Sequence, residues 1–147
     1  MDKTAVYNKA LQLLNEKVGL LLSEMDETNS SLGTASKSSV GDKHETARAM
    51  IQLEQERLSK QITQSKHLLE MLLAIDPTKN TDQIASGSLV KTNRGYFYLS
   101  VGLGKIELNK EEIFCLSPLT PMGQLLLGKV KGDQFNLNGE LTIEDVY

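Results

Sequence analysis

The first third of the chain carries apolar residues in alternating steps of four and three. Tyr7, Leu11, Leu14, Val18, Leu21 and Met25 follow one another with heptad spacing, the seam of a helix that packs along a second helix. The pattern predicts a helix from Thr4 that weakens through residues 28–32, before a Ser- and Gly-rich turn over residues 30–41. A second helix is predicted over residues 42–74. Ala47, Ile51, Leu58, Ile62, Leu68, Leu69 and Leu72 lie on or near one face, and Glu54, Gln61 and Ser65 interrupt it. Two such helices make a slender antiparallel coiled-coil hairpin, each arm roughly 50 Å long at the helical rise.

Asp76-Pro77 ends the second helix, and residues 78–83 are polar. Beyond Ile84 the period changes from helical to extended. Strands are predicted over residues 86–92, 96–101, 105–108, 113–116, 134–137 and 140–146, with turns at residues 93–95, 102–104 and 138–139. Thr120-Pro121 supplies a helix cap and a first-turn proline for one short helix over residues 122–127, stopped by Gly128. The fold class is therefore α+β in two domains: a hairpin over residues 1–75, a linker over 76–83, and an antiparallel sheet with one helix over 84–147.

Composition sharpens that division. All three prolines and eight of the eleven glycines fall from residue 75 onward. A net charge of -3 and a pI near 5.4 argue against independent sequence-specific binding to DNA. The longest apolar runs, over residues 18–22 and 68–74, are far short of the ~20 residues that span a bilayer, and the N-terminus lacks the sections of a signal peptide. The expected location is the cytoplasm, with no membrane partner. Cys115, the single cysteine, sits among apolar residues and reads as a buried structural thiol.

Candidate chemistry concentrates where the second helix begins. Gly41-Asp42-Lys43-His44-Glu45 sets two carboxylates three residues apart. That spacing serves a capping box, which satisfies orphan N–H groups, and equally presents two hard oxygen ligands at one helix end. Lys43 and Arg48 are candidate contacts to RNA phosphates. His44 reads as a surface residue, and His67, without a histidine or cysteine neighbour, as structural.

Two stretches resemble the Gre family of bacterial transcript-cleavage factors. Residues 41–47, Gly-Asp-Lys-His-Glu-Thr-Ala, are similar to that family's tip signature. Residues 120–133, Thr-Pro-Met-Gly-Gln-Leu-Leu-Leu-Gly-Lys-Val-Lys-Gly-Asp, are similar to its Ser-Pro-helix-Leu-Leu-Gly-Lys block. The closing residues 143–147 resemble its last strand. Thr46 stands where the family has Asn, and Arg48, Ala49 and Met50 stand where it carries an acidic and an aromatic residue.

The resemblance implies a coiled-coil hairpin followed by a domain of FKBP-like fold. It implies a transcription elongation factor, not itself an enzyme, that enters the secondary channel of RNA polymerase and stimulates cleavage of the backtracked nascent RNA 3′ end. Asp42 and Glu45 would complete the shell of a second Mg²⁺ shared with the polymerase active site, with no tight Mg²⁺ site in the isolated chain. Ser117, Thr120, Pro121 and Met122 would dock on the polymerase rim, and the isolated chain is expected to be a monomer. Three other readings stand beside this one. They are a channel-occupying regulator without cleavage activity, a peptidyl-prolyl isomerase suggested by the FKBP-like fold, and a plain coiled-coil adaptor.

Overall fold

A computed structural model describes the backbone of residues 1–36 and 41–147, and the side chains of these residues except 34–36 and 41–44. Two long helices open the chain, α1 (Lys3–Ser36) and α2 (Gly41–Leu73). Six strands follow among the described residues: β1 (Leu89–Thr92), β2 (Gly95–Leu99), β3 (Gly104–Leu108), β4 (Glu111–Leu116), β5 (Gln134–Asn136) and β6 (Glu140–Val146), with the short helix α3 (Pro121–Leu126) between β4 and β5. The architecture is α+β. No helix among the described residues is long and apolar enough to cross a membrane.

Contacts divide the chain into two compact units, Leu13–Leu69 and a second formed by Met1–Gln12 with Glu70–Tyr147. The outer ends of both helices thus group with the sheet.

Within the unit Leu13–Leu69 the helices run antiparallel. Gln55 Nε2 donates to Asn29 Oδ1 at 2.7 Å, and Arg57 approaches Glu24 at 3.9 Å while pairing with Glu54 one turn before it. Later residues of α1 therefore meet earlier residues of α2. The seam buries Leu14, Leu21 and Leu58, and Ser65 as well. A serine, small enough for close approach of two helices, holds a heptad position where the hydrophobic count alone indicates an interruption. Leu20, Leu22, Met50 and Leu53 remain exposed, as a two-helix seam covers only one stripe of each partner.

The sheet runs in the order β3-β4-β2-β1-β6-β5. One expectation is corrected here, because the sheet is mixed: β2 and β4 pair in parallel, with Tyr96 opposite Ile113 and Leu99 opposite Leu116. The chain leaves β2 through residues 100–103 and places β3 one strand away, so that β4 returns into the gap. Hydrophobic alternation is the same for either strand direction, which is why sequence pattern does not distinguish them. Strand limits also shift, with β4 beginning at residue 111 where 113 is expected and the limits of β3 and β5 moving by one residue. Residues 86–88 form a turn, with Gly87 at φ 91° and the Ser88 hydroxyl accepting from Ala85 N, and residue 101 lies beyond β2.

One core collects Ile84, Val90, Leu99, Leu126, Leu141 and Ile143, with Phe97, Leu116, Met122, Phe135 and Val146 packed against it. This is the sheet face that α3 covers. Leu89, Tyr98, Ile106, Ile113 and Cys115 are buried elsewhere in the sheet. Tyr98 lies close enough to Tyr7 of α1 and to Cys115 for each to act on its ionisation. Cys115 is 2% exposed, the buried thiol its neighbours in sequence predict.

Two hairpin ends are tied together by Arg94. Its guanidinium donates to the carbonyls of Leu137 at 2.6 Å and Asn138 at 3.2 Å, and the Asn93 side chain bridges Glu140 O and Thr142 N. These carbonyls belong to a turn in which Asn138 has φ 49° and Gly139 φ 112°. Arg94→Ala should leave the sheet folded and speed amide exchange over residues 136–141 by roughly tenfold, read by hydrogen-exchange mass spectrometry. Unchanged exchange there would show that the turn holds itself.

Candidate functional site

Helix α2 begins at Gly41, which puts Asp42 and Glu45 in its first two turns. Three residues apart on a helix, the two positions neighbour each other along one face. The side chains of Asp42, Lys43 and His44 lie outside the described residues. Glu45 and Arg48 are both exposed. Among the described residues no group of three or more His, Cys, Asp or Glu side chains converges as a metal site. The donor chemistry still fits a hard cation: carboxylate oxygens are what Mg²⁺ takes, with waters filling the rest of its octahedron. His67 is exposed on the last turns of α2.

The second candidate segment is built by hydrogen bonds that α3 needs at its start. Thr120 has extended backbone, φ -70° and ψ 157°, and its hydroxyl accepts from Gly123 N at 3.0 Å. The same hydroxyl donates to Ser117 O at 2.8 Å, and Thr120 N donates to that carbonyl at 3.1 Å. Ser117 Oγ accepts from Leu119 N at 3.1 Å, and Gln124 Nε2 donates to Pro118 O at 2.7 Å. Ser117 and Thr120 therefore spend polar atoms on the turn itself. Pro121 is exposed, and Met122 packs against the core.

Sequence reasoning missed the residue this turn displays most. Leu119 is 80% exposed, although its backbone is fixed on both sides. A hydrophobic residue just before a helix cap usually packs on the fourth helical residue; here that residue is Gln124. The absent staple is the signal that could have found it. Leu125 is also exposed, because a six-residue helix buries one narrow stripe, here Gly123 and Leu126.

Aromatic residues of the sheet divide by face. Phe97 and Phe114 stack at 5.8 Å between centroids with 26° between planes, while Tyr98 points the other way and is fully buried. Phe114 remains 41% exposed.

Near the chain start, Lys3 is buried to 6% exposure and its ammonium donates to Lys79 O. Burial lowers its pKa below the ordinary lysine value, against the opposing pull of Asp76. Asp76 is itself held below the usual carboxylate range by the hydroxyl and the N–H of Thr78. This cluster fastens the turn after α2 to the start of α1, a structural task.

No protein-family model matches the chain, and no curated protein matches it. Among solved structures, that of the transcription factor Gfh1 aligns with 95% of this chain and 94% of its own, at 18% identity and a TM-score of 0.41.

Proposed function

We propose that the chain is a transcription elongation factor that binds bacterial RNA polymerase through its secondary channel and stimulates cleavage of backtracked RNA by the polymerase active site. The reading rests on sequence resemblance at residues 41–47 and 120–133. The observation that carries it is the position of Asp42 and Glu45 in the first two turns of α2, beside the connection between two antiparallel helices. In this reading the sheet domain is FKBP-like and docks on the polymerase through the turn of Ser117, Thr120, Pro121 and Met122.

When bound, a second Mg²⁺ of the polymerase would supply Lewis-acid chemistry, polarising a phosphoryl oxygen and acidifying a water. Asp42 and Glu45 are the oxygen donors this chain brings to it. Their three-residue spacing lets both reach one ion from one helix face. Lys43 and Arg48 would balance RNA phosphates nearby. The chain itself supplies ligands and position, and the bond-breaking belongs to the polymerase.

The test is a purified backtracked elongation complex with labelled RNA. Wild-type protein should shorten the RNA 3′ end. Asp42→Asn with Glu45→Gln should slow this by at least about 100-fold, the scale expected when charge stabilisation at a reacting centre is removed, while binding to polymerase is kept. Equal cleavage by the double variant would remove the tip assignment. Binding by the wild type with no cleavage would establish the second reading, a channel-occupying regulator, which the Arg48-Ala49-Met50 segment favours.

A further inference from the structure

The outer strand β3 combines an open backbone edge with a charge pattern that is its own complement. It lies at one end of the sheet and pairs only with β4 among the described residues. The connection is a two-residue turn, Asn109 at φ 53° and Lys110 at φ 67°, closing on Leu108 opposite Glu111. In a hairpin of this kind the closing pair exchanges both backbone hydrogen bonds. Alternation along the ladder then assigns Leu108, Ile106 and Gly104 to bonds with β4. The N–H and C=O groups of Lys105 and Glu107 point away from it.

Natural sheets guard such an edge with charge, because a second copy would meet the same sign. A lysine alone would act in that way. Here the charges are opposite and stand one on each side of Ile106. Lys105 is committed to Glu112 at 2.7 Å, whereas Glu107 sits opposite Glu112 in register and makes no ion pair among the described residues.

We propose that β3 is a self-association edge that pairs antiparallel with β3 of a second copy about a two-fold axis through Ile106. Two independent features select this one register. With the axis at Ile106, Lys105 of each chain stands opposite Glu107 of the other, so both cross-strand pairs are attractive. The same register brings together the four outward-facing peptide groups of residues 105 and 107, giving four backbone hydrogen bonds. A shift by one residue loses both at once, since it sets bonded edges against outward ones and mismatches the charges. The closed two-fold contact is isologous and stops at two copies. Five residues a side bury far less than the roughly 1,200 Å² of a stable complex, so the dimer is weak and forms at high protein concentration.

Sedimentation velocity from about 10 μM to about 1 mM protein at low salt should show the apparent mass rising toward that of a dimer. Over the same range, exchange of the Lys105 and Glu107 amides should slow, while that of Ile106, already bonded to β4, stays constant. Glu107→Lys sets lysine against lysine across the axis and should weaken association by about tenfold or more. Within the monomer the new lysine faces Glu112, so the fold is kept, as far-UV circular dichroism will verify. The exchange Lys105→Glu with Glu107→Lys recreates attraction in both pairs and should restore association. A wild type that stays monomeric to about 1 mM, a Glu107→Lys variant that associates equally well, or a dimer without slowed exchange at residues 105 and 107 would each overturn the proposal.

Discussion

Gly123→Ala should lower the stability of the sheet-containing unit by about 3 kcal/mol, at the upper end of what overpacking costs. Gly123 is buried on the inner side of α3, and a methyl group there would collide with the Ser117 carbonyl and lie 2.9 Å from two backbone atoms of Pro118. Backbone cannot swing aside as a long side chain can. The turn that would have to move holds the bonds from Thr120 to Ser117 and from Gln124 to Pro118, so relief of the clash uncaps the helix. For a unit of this size the loss corresponds to a fall in Tm of roughly 10–20 °C. All four tyrosines lie in this unit, so near-UV circular dichroism follows it separately from the remainder of the hairpin. Gly19→Ala is the control: nothing lies within 4 Å of its added methyl, and alanine in a helix interior should stabilise by about 1 kcal/mol. A Gly123→Ala protein that melts with the wild type would show that the close approach of 117–118 to α3 is dispensable.

Alkaline solution should unfold the sheet by ionising two of its buried groups. Burial pushes the Cys115 thiol from 9.0 up to about 12, and burial, then Cys115 and Tyr7, push the Tyr98 hydroxyl well above its ordinary value. Both groups hold their protons more tightly folded than unfolded. Their contribution is therefore complete below pH 9, where the unfolded thiol begins to ionise, and is lost as pH rises toward the folded values. For Cys115 alone, at about 1.4 kcal/mol per pH unit, the loss reaches roughly 2–3 kcal/mol by pH 11. Lys3 works in the opposite sense: its lowered pKa adds stability as pH rises toward 10.5, so the net slope is shallower than the two acids alone would give.

Urea unfolding at pH 8 and pH 11, followed by the methyl resonances of Ile113 and Leu141, measures the difference. Cys115→Ala should flatten the pH dependence. Tyr98→Phe should flatten it too, and should also stabilise the protein at neutral pH by about 1 kcal/mol, because the Tyr98 hydroxyl is buried without a hydrogen-bond partner among the described residues. Equal loss of stability on alkalinisation in both variants and the wild type would place the sensitive groups elsewhere.

Those two sites differ in how far sequence reveals them. The cap of α3 is written locally in Thr120-Pro121, since the hydroxyl that closes the first turn and the fixed φ of proline act within a few residues, and the helix begins there. The clash at Gly123 depends on the 117–118 backbone folding over α3, which no local pattern records. Leu119 shows the same division: its hydrophobic character suggests burial, and only the lack of a partner at Gln124 leaves it in solvent.

By itself the sequence determined the two long helices, the existence of the six strands and their order along the chain, the capped short helix and the change from helical to extended period near residue 76, because each depends on residue spacing or on dihedrals a single side chain imposes. It also singled out Asp42 and Glu45, whose spacing is fixed by the helical repeat. Tertiary structure decided what spacing does not encode. It set the parallel pairing of β2 with β4, the grouping of both helix ends with the sheet, the burial of Ser65 in the helical seam, and the exposure of Leu119 and Leu125. It also placed β3 at the edge, where Lys105 and Glu107 become a charge pattern that a second copy can read. Strand order and burial arise from long-range packing, in which each residue's environment is set by partners distant in the chain.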